Sequence, residues 1–133
     1  MILVLDASGA IEIALEKDKA KLFLEIIHEA DIVVSPDTFI SEVTSAFWKY
    51  RRFAQFTDDI CLKGIEFCIN LIDDFTSSSD LWRETYHEGI RNQCSVYDMF
   101  YLVTARRNSG MLVTMDKTLN SIAKKSGILV AKK

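Results

Sequence analysis

One segment, residues 95–116, constrains the possible fold more than any other part of the chain. It reads S-V-Y-D-M-F-Y-L-V-T-A-R-R-N-S-G-M-L-V-T-M-D, and its first half has the pattern of a helix that is apolar almost all round. A helix of that kind belongs inside a protein and not on its surface. Asp98 lies in the first turn of this helix, and the apolar run at residues 111–114 leads to Asp116. The segment therefore predicts a buried helix and a buried strand, each with an aspartate beside it.

Short apolar runs alternate with helical patterns along the rest of the chain. The runs at residues 2–5, 32–34 and 128–130 have the pattern of buried strands, and a further short strand is expected to end at Leu81-Trp82. This alternation predicts an α/β fold in which helices cover both faces of a mostly parallel β-sheet. The expected helices are at residues 10–15 (after a turn at 6–9), 19–30, 36–53, 58–73, 83–92 and 117–125, the third with Ser35 as its N-cap and Pro36 at its first position.

Length and composition limit the class of protein and its partners. At 133 residues the chain is expected to form one domain, residues 1–133. It begins without a signal-peptide pattern and contains no apolar run of membrane-spanning length, so a cytoplasmic protein without a membrane partner is expected. The net charge of −3 argues against tight, sequence-independent binding of nucleic acid. It is compatible with an enzyme that contacts nucleic acid through a bound cation and a few basic side chains.

Several common active-site types are missing from the sequence. Neither His28 nor His87 has a serine or cysteine nucleophile pattern nearby, which argues against a hydrolase triad. The five glycines form no phosphate-binding loop pattern. The three cysteines have no C-x-x-C spacing, so a zinc ribbon or a thioredoxin-like motif is excluded and all three are expected to be small buried apolar residues.

Four carboxylates remain as candidates for chemistry, and each also has a purely structural interpretation. Asp6 follows the first strand and suits a turn or a helix N-cap. Asp98 completes the pattern of a capping box that begins at Ser95, and Asp116 is placed to cap the helix after it. Glu42 lies at the border of the apolar face of its helix, where a solvated carboxylate with a buried stem is the alternative.

The arrangement of these carboxylates along the chain favours a shared site. Asp6 and Asp116 both follow predicted strands, and the loops after parallel strands meet at the carboxyl edge of a sheet, where ligands of open α/β folds bind. Asp98, at the start of the helix that leads into the strand before Asp116, reaches that edge only if a turn of the chain brings it there. Carboxylates at close quarters raise one another's pKa unless a cation lies among them. Oxygen ligands without histidine or cysteine favour Mg²⁺ or Mn²⁺, which bind phosphate oxygens and position a water for attack.

Four motifs in order make the chain similar to PIN-domain ribonucleases of the VapC toxin type. The start V-L-D-A-S resembles the family's strand followed by D-x-S, and the residues from Pro36 to Glu42 resemble its P-x-x-x-x-x-E helix. V-Y-D-M-F-Y-L-V-T-A looks like D-x-x-Y-L-x-x-A, and L-V-T-M-D-K-T-L looks like V-T-x-D-x-x-L. One departure is the bulky pair Met99-Phe100, because a small residue commonly follows this aspartate in the family.

The resemblance implies a PIN-like fold, an acidic metal site and a reaction. The implied reaction is Mg²⁺- or Mn²⁺-dependent hydrolysis of an RNA phosphodiester bond by an activated water. Asp6 and Asp98 are the expected direct metal ligands, whereas Glu42 and Asp116 complete the shell, hold metal-bound water or bind a second ion. The implied catalytic and metal residues are Asp6, Glu42, Asp98 and Asp116, with supporting hydroxyls from Ser8 and Thr114.

The resemblance also implies partners. A homodimer is expected, together with a small antitoxin that wraps around the toxin and blocks its site. The helical hairpin at residues 36–73 is rich in aromatic side chains and suits an amphipathic partner segment. The alternative is that Phe47, Trp48, Phe53 and Phe56 are core or dimer contacts. Alternative functions are a catalytically inactive binding module for nucleic acid or protein on the same fold, and a related metal-dependent nuclease that has no antitoxin.

Overall fold

A parallel β-sheet lies at the centre of the computed structural model, which describes residues 1–131. Within that range four strands are flanked by seven helices, so the predicted α/β class with a parallel sheet is confirmed. The strands are β1 (Ile2–Leu5), β2 (Ile32–Pro36), β3 (Asp74–Thr76) and β4 (Met111–Val113), in the spatial order β3-β2-β1-β4. The helices are α1 (Ala7–Ala14), α2 (Ala20–Glu29), α3 (Thr38–Phe53), α4 (Asp58–Asn70), α5 (Ser78–Asn92), α6 (Val96–Asn108) and α7 (Lys117–Lys125).

The order of the strands creates a switch point beside β1. After β1 the chain adds β2 and β3 on one side, and it later returns to add β4 on the other side. Both neighbours are parallel to β1, with Leu3 paired to Val33 and to Met111. Leu3, Val4 and Leu5 of β1 are fully buried, as a strand covered on both faces requires. A crevice at the carboxyl ends of β1 and β4 is where ligands bind in sheets with such a reversal.

Helix α6 is the buried helix that the sequence predicts. It packs on β1, β2 and α5, and Met99, Leu102 and Val103 are completely inaccessible to solvent. Ser95 caps its start by accepting a hydrogen bond from the backbone N–H of Tyr97 at 3.2 Å. Asp98 does not form the predicted capping box; its carboxylate accepts instead from the Cys94 thiol, 3.7 Å away.

Two glycines let helices approach their neighbours closely. A Cβ atom at Gly64 in α4 would lie 2.5 Å from the ring of Phe47, a fully buried side chain of α3. A Cβ atom at Gly9 in α1 would lie 3.1 Å from the carbonyl oxygen of Val113 at the end of β4. The second approach holds the start of α1 against the strand that leads to Asp116.

The start of α3 differs from the prediction. Ser35 and Pro36 are not a helix N-cap and first helical residue, because both belong to β2. The hydroxyl of Ser35 donates to the carbonyl oxygen of Leu5 at 2.8 Å, and Pro36 pairs with Thr76 in β3. The helix begins only after Asp37. Similarly, α1 begins immediately after Asp6, so the predicted turn at residues 6–9 is absent.

Two of the predicted strands differ as well. Leu81 and Trp82 do not end a strand; they lie in α5, and the strand of this region is β3, further towards the N-terminus. The run at residues 128–130 is reduced to a single parallel bridge between Val130 and Leu112. Across residues 1–131, every helix is too short or too polar to cross a membrane.

Candidate active site

All four candidate carboxylates belong to elements that meet at the carboxyl edge of the sheet. Asp6 is the N-cap of α1 directly after β1, and Asp116 is the N-cap of α7 after β4. Glu42 lies in the second turn of α3, the helix that follows β2. Asp98 lies in the first turn of α6. Because α6 ends where it leads into the amino end of β4, the start of α6 lies at the carboxyl edge of the sheet. The expected common edge therefore exists.

Asp6 is the most buried and the most firmly held of the four. Only 4% of it is exposed. Its Oδ1 accepts hydrogen bonds from the Ser8 hydroxyl and from the backbone N–H of Gly9, both at 2.8 Å, and its Oδ2 accepts from the Thr114 hydroxyl. Burial raises the pKa of Asp6 to about 6, although these three hydrogen bonds oppose the rise. The carboxylate is thus held in one orientation without a neutralising charge.

The two hydroxyls connect Asp6 to the end of β4. Ser8 and Thr114 are 3.2 Å apart, and Ser8 Oγ accepts from the backbone N–H of Met115 at 2.9 Å. Thr114 Oγ1 accepts from the backbone N–H of Asp116 at 3.0 Å. One network of short contacts therefore sets the position of Asp116 relative to Asp6.

Glu42 is held by a residue that sequence reasoning missed. The Tyr101 hydroxyl donates to Glu42 Oε2 at 3.0 Å. Burial raises the pKa of Glu42 to about 7; the bond from Tyr101 opposes the rise, and the charges of Asp6 and Asp98 add to it. The sequence does contain a signal for this contact: Tyr101 lies three residues after Asp98 in an otherwise apolar, buried helix. A buried hydroxyl needs a hydrogen-bond partner, so a polar contact for Tyr101 could have been expected.

Asp98 and Asp116 form the more open side of the site. Burial and the charge of Asp116 raise the pKa of Asp98, while the thiol of Cys94 opposes the rise. Asp116 Oδ1 accepts from the backbone N–H of Leu119 at 2.8 Å, so Asp116 caps α7 and also acts electrostatically on Asp98. Cys94 is only partly buried, unlike Cys61 and Cys68, which are buried as expected.

The charge balance of the site fits a divalent cation. Asp98 raises the pKa of both Asp6 and Glu42, and Asp116 raises the pKa of Asp98. Among residues 1–131 none of these four side chains forms an ion pair with lysine or arginine. A hard ion such as Mg²⁺ takes oxygen ligands of this type and would remove the repulsion.

The distances set one condition on that fit. Within the described chain, no three His, Cys, Asp or Glu side chains are close enough together to surround one ion in the present arrangement. Asp6 is fixed by its three donors, so side-chain rotation of the less buried carboxylates is required to gather the oxygens around a metal. Glu42, Asp98 and Asp116 are each partly exposed to solvent.

Comparison with known proteins identifies the family. The sequence profile of the PIN domain matches residues 3–125. The chain belongs to the PIN domain family. PIN domains are generally nucleases, and the family part of the sequence-based resemblance is confirmed. No curated protein sequence matches the chain.

Two solved structures share this PIN fold. PAE2754 from Pyrobaculum aerophilum superposes with a TM-score of 0.72 at 19% identity, covering 98% of this chain and 92% of that one. A chain of VapBC2 from Rickettsia felis, crystallised with a DNA fragment from its promoter, superposes with a TM-score of 0.68 at 12% identity. The match covers 98% of this chain and 98% of that one. At these identities the likeness shows the fold alone.

Proposed function

We propose that this PIN domain is an endoribonuclease that uses Mg²⁺ or Mn²⁺ to hydrolyse RNA phosphodiester bonds. The supporting observation is the group of four carboxylates at one sheet edge. Burial raises the pKa of Asp6, Glu42 and Asp98, the charge of a neighbouring aspartate adds to each rise, and within residues 1–131 no lysine or arginine pairs with the group. Such a group favours a metal, and a metal bound there supplies the positive charge that binds phosphate oxygens and activates water.

The residues of the chain have distinct tasks in this proposal. Asp6 and Asp98 would hold the metal directly, with Asp6 oriented by Ser8, Thr114 and the N–H of Gly9. Asp116 would complete the shell or hold metal-bound water. Glu42 has a pKa of about 7 before a metal binds, and at Oε1 it would accept the proton of the attacking water, while Tyr101 holds Oε2.

Replacement of Asp98 tests the proposal. The Asp98→Asn variant should fold normally and lose cleavage of single-stranded RNA in the presence of Mn²⁺. Asp59→Asn is the matched control, because Asp59 is an exposed aspartate of α4 whose ion pair within residues 1–131 is with Lys63. The catalytic assignment is wrong if Asp98→Asn cleaves RNA at the wild-type rate. Parallel assays with tRNA, mRNA and flap DNA distinguish a ribonuclease from a related DNA nuclease.

We further propose that the enzyme is the toxin of a type II toxin–antitoxin pair and forms a homodimer. The shared fold with the VapBC2 chain supports this proposal. Trp48 and Phe53 of the helical hairpin are mostly exposed, which suits a partner segment, whereas Phe56 stacks on Tyr50 at 4.9 Å and is a contact within the chain. Co-purification with the product of a neighbouring short gene tests the antitoxin proposal. A solution mass of about twice 15.2 kDa in the absence of that product tests the homodimer proposal.

A second candidate is a PIN-fold binding module without catalysis. The observation that favours it is the spacing of the carboxylates, no three of which surround an ion as they stand in residues 1–131. This candidate requires RNA or protein binding that EDTA leaves unchanged, with no cleavage in Mn²⁺. Calorimetric titration with Mn²⁺ separates the enzyme from the binding module. Only the enzyme requires Mn²⁺ binding that is lost when either Asp6 or Asp98 is replaced.

A further inference from the structure

A groove extends from the acidic site along α3. Its volume is about 810 Å³, within the roughly 300–1,000 Å³ that ligand-binding pockets have. Glu42 and Tyr97 line one end, and Phe53 and Ala54 line the other. Glu42 is one of the four carboxylates of the candidate site, so the groove reaches that site through Glu42. A molecule that reacts at the acidic site therefore has a continuous surface along which to extend.

The length of the groove exceeds what one nucleotide needs. Glu42 and Phe53 are separated by three turns of α3, or roughly 16 Å along the helix axis. Bases stacked in a nucleic-acid strand are about 3.4 Å apart. The groove therefore has room for several nucleotides beyond a scissile phosphate at the acidic site.

The two ends of the groove present exposed aromatic rings. Tyr97 is 59% exposed and Phe53 is 73% exposed. The ring of Tyr50 between them is occupied, since it stacks on Phe56 at 4.9 Å and forms part of the groove floor. Exposed aromatic rings are stacking platforms for unpaired bases of any sequence, which duplex RNA does not offer.

Positive charge lies along the same groove, although the chain as a whole is acidic. Lys49 lines the groove between the two rings, and within residues 1–131 it forms no ion pair. Lys17 approaches the Tyr50 hydroxyl at 3.4 Å, and the guanidinium of Arg52 lies 5.7 Å from the centre of the Phe53 ring. Lys49 in the groove, with Lys17 and Arg52 next to two of its aromatic residues, complements a phosphate backbone with unpaired bases.

We propose that this groove binds the single-stranded RNA next to the scissile bond. One base stacks on Tyr97, another stacks on Phe53, and Lys49 contacts a phosphate between them. This inference rests on the proposed ribonuclease function and adds the residues that hold the substrate away from the reacting phosphate. Tyr97, Phe53 and Lys49 are thus binding residues, and none of them takes part in the hydrolysis itself.

Binding measurements on a chain that does not cleave test the groove directly. The Asp98→Asn protein is titrated into a fluorescent single-stranded oligouridine in Mg²⁺, alone and with each groove substitution added. Phe53→Ala and Tyr97→Leu should each weaken binding by about 5- to 100-fold, as expected for the loss of one stacked base. Tyr97→Phe keeps the ring and should bind normally. Lys49→Gln should reduce the slope of log affinity against log salt by about 0.7.

Matched controls come from α4, the partner helix of the hairpin. Phe67→Ala removes an exposed phenylalanine and Lys63→Gln removes an exposed lysine, both outside the groove. Neither should change RNA affinity or its salt dependence. A photoreactive 4-thiouridine in the oligouridine should crosslink to peptides that contain Tyr97 or Phe53 and not to peptides of α4.

The outcomes separate this inference from the proposed function. If wild type cleaves RNA and the groove variants bind like their controls, the groove proposal is wrong and the ribonuclease stands. If wild type neither cleaves nor binds RNA, both are wrong. If the groove variants bind RNA normally but release a co-purified protein partner, the groove is a protein-docking site and the RNA proposal is overturned.

Discussion

The buried carboxylate of Asp6 makes a quantitative prediction about stability and pH. Burial raises its pKa from 3.8 to about 6 in the folded chain. A raised pKa means that the folded state holds the proton more tightly, so this contribution to stability is present below about pH 4 and is lost as pH rises through about 6. The shift of about 2 units corresponds to about 3 kcal/mol at 1.36 kcal/mol per unit.

The Asp6→Asn variant isolates this contribution. An asparagine does not ionise, so its altered hydrogen bonds to Ser8 and Thr114 change stability by an amount that does not depend on pH. The quantity to follow is the free energy of unfolding of the variant minus that of wild type, in metal-free buffer. This difference should rise by about 3 kcal/mol between pH 4 and pH 7 and stay constant above pH 7. Urea denaturation followed by circular dichroism at half-unit pH steps measures the difference.

Two further comparisons test the reasoning. Glu84→Gln should show the opposite trend, because Arg106 and Arg107 outweigh the effect of burial and lower the pKa of Glu84, so its contribution is lost as pH falls. Added Mg²⁺ should restore wild-type stability at pH 7 by about 2.7 kcal/mol at a hundredfold excess over its dissociation constant and leave Asp6→Asn unchanged. A difference between Asp6→Asn and wild type that stays constant from pH 4 to pH 8 refutes the argument.

Three other substitutions test individual contacts. Thr114→Val removes the hydroxyl that donates to Asp6 and should reduce RNA cleavage by about 10- to 100-fold, whereas Thr114→Ser keeps it; equal rates for the two variants contradict this role. Tyr101→Phe removes the hydrogen-bond donor to Glu42 and should raise the pKa of Glu42 above about 7, which moves the acid limb of the pH–rate profile to higher pH. If the acid limb does not move, Glu42 does not take the proton. Arg106→Gln removes an ion pair at 2.9 Å from the buried Glu88 and should lower the free energy of unfolding. The expected loss is only about 2 kcal/mol, because Arg91 and Asn92 still bind Glu88. An unchanged urea midpoint would mean that this ion pair makes no net contribution to stability.

The parts of the fold that the sequence predicts well are those governed by local pattern. Residues 2–5 are a continuous apolar run and form the central strand, and the apolar surface of residues 96–105 forces that helix into the interior. Their burial depends only on side-chain character. The same pattern placed Asp6 and Asp116 after strands, which brings them to one edge in any parallel sheet.

The errors concern elements that depend on distant partners. Ser35 and Pro36 have the local signal of a helix start, but Ser35 bonds to β1 and Pro36 pairs with β3. Strand β3 is short, lies at the sheet edge and begins with an aspartate, a residue that is depleted in strands, so it has no local signal. The bond between Tyr101 and Glu42 spans 59 positions and joins α6 to α3, so no local pattern predicts it.

The order of β1 and β4 along the chain has a consequence for synthesis on the ribosome. Asp6 is made before its partner Thr114, which lies 108 positions later in the chain. At about 5–20 residues per second, roughly 5 to 20 seconds pass between the two. During that interval the growing chain contains the central strand but lacks its neighbour on the switch-point side, so the acidic site cannot assemble. Whatever this site does in the cell therefore begins only after β4 and Thr114 have been translated.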